Sequence, residues 1–253
     1  MISVFQTDDI PFGYDICFAD DIRFAYVKGK IGECFSGGMD MSKKLSGKTF
    51  AILGDSYSTF RGWVPEGNEA YYPNPEKVAD VLKVEQTWWH QLMAKNGMVL
   101  LRNDAFCGAT VCTQVRERHT KSACYVERVN NSFANIPGQP EYIFLFGGTN
   151  DHWMERVHGK VKFGRWNEED LKQAVPAYCY VLNRLKKNYP KAQIISIINT
   201  DLHPDIVKGW VLAAEHYGAK TVALADIHKQ NGHPTALGMT EIAQQVEAAL
   251  LDK

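Results

Sequence analysis

The sequence predicts a doubly wound α/β fold, in which helices cover both faces of a five-stranded parallel sheet. Three observations support this fold class. Five short apolar runs recur along the chain, and runs of this length are typical of buried strands. Amphipathic segments separate most of them, and 253 residues with 45% hydrophobic content suffice for one such domain. The runs are residues 49–53, 98–101, 142–146, 194–198 and 221–225.

Four amphipathic segments are predicted to be helices. They are residues 87–96, 168–189, 205–217 and 235–251. The second carries apolar side chains at helical spacing, but Pro176 lies inside it, which predicts a kink or a late start. Alternating strands and helices imply right-handed crossovers, and the strand count matches the flavodoxin-like arrangement.

The alternation covers only part of the chain. Residues 47–253 are assigned to the α/β domain, and residues 1–46 form an N-terminal extension outside the pattern. Apolar residues at 16–18 and 22–27 predict a short β-hairpin within that extension. The loop between Tyr57 and Glu85 is long and rich in proline and aromatic residues, and ordered loops of this length are usually functional.

Composition limits the classes of partner and compartment. The net charge of −1 gives no reason to expect a nucleic acid or an anionic membrane as partner. No apolar stretch approaches the roughly 18 residues of a membrane span. The N-terminus lacks the pattern of a signal peptide, and no pair of the six cysteines has a Cys-x-x-Cys spacing, so reduced thiols in the cytoplasm are expected. A secreted protein whose leader was removed is the alternative, and the oligomeric state is left open.

Four polar or glycine-containing motifs follow the apolar runs. Because the carboxyl ends of parallel strands meet at one edge of a sheet, these motifs are expected to converge in one crevice. They are Gly54-Asp55-Ser56, residues 103–110 around Gly108, Gly147-Gly148-Thr149-Asn150-Asp151, and Gly232-His233-Pro234.

The residue types in these motifs suit acyl transfer. Serine is weakly nucleophilic until a base accepts its proton, and histidine does this well near neutral pH. Glycine can expose a backbone N–H, and an asparagine amide adds a second donor for the oxyanion of a tetrahedral intermediate.

Together the motifs resemble those of the SGNH or GDSL-type hydrolase superfamily, over about residues 48–253. The combination of Gly-Asp-Ser with Gly-Thr-Asn-Asp is more specific than either motif alone. The resemblance implies that Ser56 is the nucleophile and that His233 is the general base. It also implies an oxyanion site formed by the Ser56 and Gly108 N–H groups and the Asn150 side chain.

One position departs from the family pattern. The superfamily usually has an aspartate three residues before the histidine, where this chain has Gln230. Either Asp226 or a backbone carbonyl is therefore expected to orient the His233 ring, and the carbonyl is slightly favoured.

Substrate and cofactor expectations are broader. Trp63, Tyr71, Tyr72 and Trp153 flank the motif loops and are candidates for the wall of a sugar-binding cleft. No cofactor is expected, and no metal either, since His228 and His233 have no third ligand nearby. The predicted function is a serine esterase for short acyl esters, with acetyl esters of carbohydrates as one option. The alternatives are a lysophospholipase, thioesterase or acyltransferase with the same site, and a non-catalytic carbohydrate-binding protein.

Overall fold

The computed structural model describes residues 44–252, and its centre is a parallel sheet of five strands. The strands lie in the order β2-β1-β3-β4-β5, which is the flavodoxin-like order, so the predicted fold class is confirmed. They are β1 (Thr49–Gly54), β2 (Val99–Ala105), β3 (Tyr142–Gly147), β4 (Gln193–Ile198) and β5 (Lys220–Ala223). The hairpin predicted at residues 16–27 lies outside the described residues.

Helices cover both faces of the sheet because strand side chains alternate between two hydrophobic clusters. The helices are α1 (Trp88–Asn96), α2 (Tyr125–Asn130), α3 (Thr149–Trp153), α4 (Glu168–Leu171), α5 (Ala174–Asn188), α6 (Pro204–His216) and α7 (Ala236–Leu251). Phe50 and Ile52 point to the face covered by α1 and α7, whereas Ala51 and Leu53 point to the face covered by α2, α5 and α6. None of the helices in residues 44–252 has the length and apolar character needed to span a bilayer.

Two elements differ from the sequence prediction in an informative way. The segment predicted as one helix at 168–189 is divided into α4 and α5. Pro176 lies in the first turn of α5, so the long helix starts late, which is one of the two effects predicted for this proline. Strand β2 continues beyond its apolar run through Asn103 and Asp104. These polar residues remain in a buried strand end because Asn103 donates to the Ser58 carbonyl at 2.8 Å and Asp104 accepts from Asn68 at 3.1 Å.

Gly148 is a position where the fold depends on the absence of a side chain. Its φ is +90°, and a Cβ there would lie 2.2 Å from Cη2 of the buried Trp210. We expect Gly148→Ala to lower the free energy of unfolding by at least about 2 kcal/mol, because backbone strain and overpacking act together. Urea denaturation measures this change. The matched control is Gly164→Ala, where a Cβ meets nothing within 4 Å; equal stability of the two variants would contradict the packing at Trp210.

Candidate active site

Ser56 lies directly after β1, in a short 3-10 turn of residues Ser56–Ser58. Asp55 caps this turn, since its Oδ1 accepts the Tyr57 N–H at 3.0 Å. The chain can turn this sharply because residue 54 is a glycine: a Cβ there would lie 2.8 Å from Cβ of Ser58. Strand end, glycine and cap together place the serine hydroxyl at the carboxyl edge of the sheet.

His233 reaches the same edge from a β-hairpin of β6 (Lys229–Gln230) and β7 (His233–Pro234). The two-residue turn is formed by Asn231 and Gly232, both with positive φ, as tight hairpin turns require. The Tyr57 hydroxyl donates to the Gly232 carbonyl and holds this turn against the serine loop. Nε2 of His233 consequently lies 3.0 Å from Oγ of Ser56.

The second ring nitrogen of His233 has a backbone partner. Its Nδ1 lies 3.2 Å from the carbonyl oxygen of Asn231. A carbonyl can only accept, so the proton belongs on Nδ1, which leaves the Nε2 lone pair free to accept the Ser56 hydroxyl proton. A backbone carbonyl, one of the two orienting groups considered from the sequence, thus lies within hydrogen-bond distance of this nitrogen.

Asp226, the carboxyl considered for the orienting role, and Gln230, which stands where the family usually has an aspartate, lie on either side of the start of this hairpin. Asp226 lies in the loop between β5 and β6 with a φ of +53°. Gln230 stands opposite His233 in the hairpin, and its side-chain oxygen accepts the Ala79 N–H at 3.4 Å. Gln230 thus ties the hairpin to the long loop after β1.

Burial changes the proton affinity of the histidine. His233 is 8% exposed, and its burial, with the charges of Lys77, Lys229 and Arg116, lowers its pKa to about 4. The hydrogen bond to the Asn231 carbonyl opposes this shift. The imidazole is therefore neutral, and able to accept a proton, throughout the neutral and mildly acidic range.

Gly108 brings a backbone N–H to the same region. Its φ is +79°, and a Cβ there would lie 2.6 Å from Cε1 of His119, so only glycine fits without displacement. Within the described part of the chain, the N–H groups of Ser56 and Gly108 make no backbone hydrogen bond. Both remain available to an incoming acceptor.

The Asn150 side chain is held at both ends. Its Nδ2 donates to the Ala109 carbonyl at 3.0 Å, and its Oδ1 accepts from Nη2 of Arg116 at 2.8 Å. These contacts fix which end of the amide is the donor and leave one Nδ2 hydrogen for a ligand. Arg116 was not identified from the sequence, because an isolated arginine in a loop carries no motif.

Buried charges support the loops around the site. Asp151 accepts the N–H groups of Val111 and Cys112 at 2.8 and 3.1 Å, and thereby holds the loop that contains Gly108. Burial raises the pKa of Asp55 to about 7, although the Tyr57 N–H opposes the shift. Arg128 is also buried, and its Nη2 donates to the Gly54 carbonyl at 3.0 Å, at the end of β1.

Ser56 and His233 open into a cavity of about 830 Å³, a volume suited to a small-molecule ligand. The long loop after β1 contributes to its wall, and so do Tyr71 and Trp153. The Tyr71 ring stacks on the His233 imidazole with centroids 3.6 Å apart, while Trp153 is 43% exposed.

The other two aromatic candidates, Tyr72 and Trp63, are not among the residues that line this cavity. Tyr72 is fully buried, and its hydroxyl donates to the Pro234 carbonyl at 2.8 Å, so it supports the hairpin from beneath. Trp63 packs against Trp89 with ring centroids 5.5 Å apart. Sequence reasoning could not separate these four rings, because all of them flank loop segments.

One side-chain cluster among the described residues has the composition of a metal site. His158, His203 and Asp205 offer ligand atoms that all lie within 4.8 Å of one another. None of them lines the cavity around Ser56. His228, considered from the sequence, is instead bound to Glu241 at 2.6 Å.

Comparisons with known proteins show the family to which the chain belongs. The family model of the GDSL-like lipases and acylhydrolases matches residues 48–250. The crystal structure of a GDSL-like lipase from Bacteroides uniformis is similar to this chain, with 40% sequence identity and a TM-score of 0.73. The aligned region covers 79% of this chain and 93% of the lipase chain. A second from Bacteroides ovatus is 34% identical, with 81% and 98% coverage and a TM-score of 0.74. No curated protein matches.

A more distant structure shares the fold. An acetyl xylan esterase from Butyrivibrio proteoclasticus is 16% identical, covers 81% of this chain and 63% of its own, and has a TM-score of 0.55. The match to the family model spans most of the sequence, and the matched residues 48–250 include the positions of the serine, glycine, asparagine and histidine described above. This chain therefore belongs to the GDSL-like lipase and acylhydrolase family and is a hydrolase of ester bonds.

Proposed function

We propose that the protein is a serine esterase that hydrolyses short-chain acyl esters, with acetyl esters of carbohydrates foremost, through an acyl-enzyme on Ser56. The observation that carries this proposal is the 3.0 Å contact between Ser56 Oγ and His233 Nε2, with the opposite ring nitrogen at a carbonyl. This contact supplies the nucleophile with a base in the correct tautomer. The reaction requires no metal or organic cofactor.

In the first half-reaction, Ser56 Oγ attacks the ester carbonyl carbon while His233 Nε2 accepts the hydroxyl proton. The carbonyl oxygen becomes an oxyanion, which the Ser56 and Gly108 N–H groups and the Asn150 amide stabilise. The bond from the carbonyl carbon to the alcohol oxygen then breaks, and His233 returns the proton to the departing alcohol. The acyl group remains on Ser56.

In the second half-reaction, water replaces the alcohol. His233 accepts a proton from the water as its oxygen attacks the acyl carbon, and the same donors hold the second oxyanion. Collapse of this intermediate breaks the bond to Ser56 Oγ, which regains its proton from His233. The carboxylic acid leaves, and the imidazole is neutral again.

The cavity wall supports a short acyl group. Its residues are mainly polar or charged, including Asn74, Lys77 and Arg116, whereas a long acyl chain would require a continuous apolar groove to gain binding energy. The half-exposed ring of Trp153 offers a flat apolar surface of the kind that packs against sugar faces, and Tyr71, stacked on His233, forms the wall beside it. An acetyl xylan esterase shares the fold, which makes an acetylated sugar the first substrate to test.

A series of p-nitrophenyl esters of increasing acyl length tests the substrate class. We expect the acetyl and propionyl esters to have the highest kcat/KM, with a steady decline for longer chains. Rates that rise with chain length would instead support a lysophospholipase or thioesterase. A fluorophosphonate probe tests catalysis separately: labelling of Ser56 is expected, and no labelling of the folded protein would favour the non-catalytic alternative.

The pH dependence of kcat/KM should reflect the lowered pKa of His233. The neutral ring is the active form, so activity is expected to fall only as the pH drops through about 4. An unperturbed histidine would lose activity near pH 6.5. The acidic side of the profile is measured as kcat/KM for p-nitrophenyl acetate at a series of acidic and neutral pH values. Circular dichroism at each pH verifies that the protein is folded. A loss of activity near pH 6.5 in folded protein would contradict the role of His233 as a buried general base with a lowered pKa.

A further inference from the structure

The wall of the catalytic cavity carries unpaired positive charge. Lys77, Arg116 and Arg156 line it, and within residues 44–252 none of them forms an ion pair. The whole chain has a net charge of −1, so the basic wall is a local feature and does not reflect the composition.

The other charged groups of the wall do not cancel this excess. Arg118 donates to Glu69 at 2.9 Å, and His119 Nε2 lies 3.1 Å from the same carboxylate. Glu69 is thus already occupied. Glu117 adds one exposed carboxylate to the wall. The unpaired groups therefore comprise three cations and one anion.

The two arginines also have unused hydrogen-bond donors. Nη2 of Arg116 is bound to Asn150, and Nη2 of Arg156 donates to the Val115 carbonyl at 3.2 Å. The Nε atoms of both guanidinium groups are buried and have no acceptor in the described part of the chain. Because no acceptor among the described residues satisfies these two Nε atoms, the hydrogen bonds within the protein leave part of each guanidinium group unpaired.

We propose that Arg116, Arg156 and Lys77 form an anion-binding subsite beside Ser56 and that the ester substrate carries a carboxylate. The proposal rests on the esterase function above. A guanidinium fork matches the geometry of a carboxylate, and Lys77 adds a mobile point charge. The nearby exposed ring of Trp153 suits a sugar, so an O-acetylated hexuronic acid combines both features. A hemiester of a dicarboxylic acid presents the same group from the acyl side.

The electrostatics of the histidine agree with a positive field at this position. After burial, the largest cause of the low His233 pKa, the charges of Lys77 and Arg116 contribute to it. A substrate carboxylate placed among these cations would offset that field while it binds.

Matched pairs of esters test the proposal. The first pair is O-acetylated galacturonic acid and O-acetylated galactose, which differ in a carboxylate on the alcohol side. The second is p-nitrophenyl hemisuccinate and p-nitrophenyl butyrate, which differ on the acyl side. We expect the acidic member of at least one pair to have a kcat/KM higher by about tenfold or more, the factor that one hydrogen bond to a charged group supplies. The pair that shows the preference identifies the source of the carboxylate.

Variants assign the preference to the subsite. Arg156→Gln combined with Lys77→Gln is expected to reduce the ratio of acidic to neutral kcat/KM by about tenfold. Added salt should reduce it in the wild type. The matched control is Lys191→Gln, an exposed lysine outside the cavity, which should keep the wild-type ratio.

The outcomes separate this proposal from the esterase function. Equal rates for both members of both pairs, in an enzyme that hydrolyses them, would overturn the subsite and leave the esterase intact. If no ester is hydrolysed, calorimetric titration of Ser56→Ala with galacturonate and galactose still tests the subsite. Tighter binding of galacturonate would support it, and equal binding would overturn it.

Discussion

Replacement of Ser56 by alanine is expected to lower kcat for p-nitrophenyl acetate by about 10⁴- to 10⁶-fold. The variant loses the atom that forms the acyl-enzyme, and the oxyanion donors alone recover only a small part of the rate. The fold should persist, because the backbone of the turn is held by the Asp55 cap and by the Thr59 hydroxyl, which donates to the Ser56 carbonyl at 2.9 Å.

The measurement combines steady-state kinetics with mass spectrometry of the probe-treated protein. Wild type should gain one adduct on Ser56, and the variant none. The control is Ser122→Ala, which removes an exposed serine hydroxyl outside the cavity and should keep full activity. Substantial activity in folded Ser56→Ala would show that another group is the nucleophile.

Replacement of His233 by alanine is expected to cost a similar factor, about 10⁴-fold or more, because nucleophile and base act as one unit. Without the ring, the Ser56 hydroxyl has no acceptor for its proton. Probe labelling should slow in parallel with hydrolysis. The control is His228→Ala, since His228 is an exposed histidine directly before the β6–β7 hairpin and pairs with Glu241.

A second variant, Asp226→Asn, distinguishes the two ways of orienting His233. With the Asn231 carbonyl as the orienting group, Asp226→Asn should keep near wild-type activity. Loss of a true orienting aspartate costs about 10⁴-fold in a serine protease triad. A comparable loss here, in folded protein, would make Asp226 part of a triad.

Most strands of the sheet could be predicted from the sequence because the pattern that indicates a buried strand involves only neighbouring residues. Each strand is a short apolar run, and the parallel order follows from alternation with helices. The end of β2 was missed because Asn103 and Asp104 are polar, and their partners Ser58 and Asn68 come from a distant loop. Helices α2 and α3 were missed because they contain only six and five residues, too few for a periodic pattern.

The candidate site was predictable to the extent that it follows strand ends. Ser56, Gly108 and Asn150 all come soon after a strand, so topology brings them to one edge. Neither Arg116 nor the aromatic residues of the cavity wall could be identified in this way, because they do not directly follow the end of a strand. Tyr71 and Tyr72 are neighbours in sequence, yet one stacks on His233 in the cavity and the other is buried beneath the hairpin.

Local sequence patterns were enough to predict the fold class and to propose a serine, a glycine, an asparagine and a histidine for the site, because strand periodicity and short motifs depend only on neighbouring residues. The carbonyl that faces His233 Nδ1 is apparent only in three dimensions, since the turn at Asn231 and Gly232 brings it there. The same is true of the positive charge of the cavity wall. Lys77, Arg116 and Arg156 come from separate loops, and their convergence depends on long-range packing that no local pattern encodes.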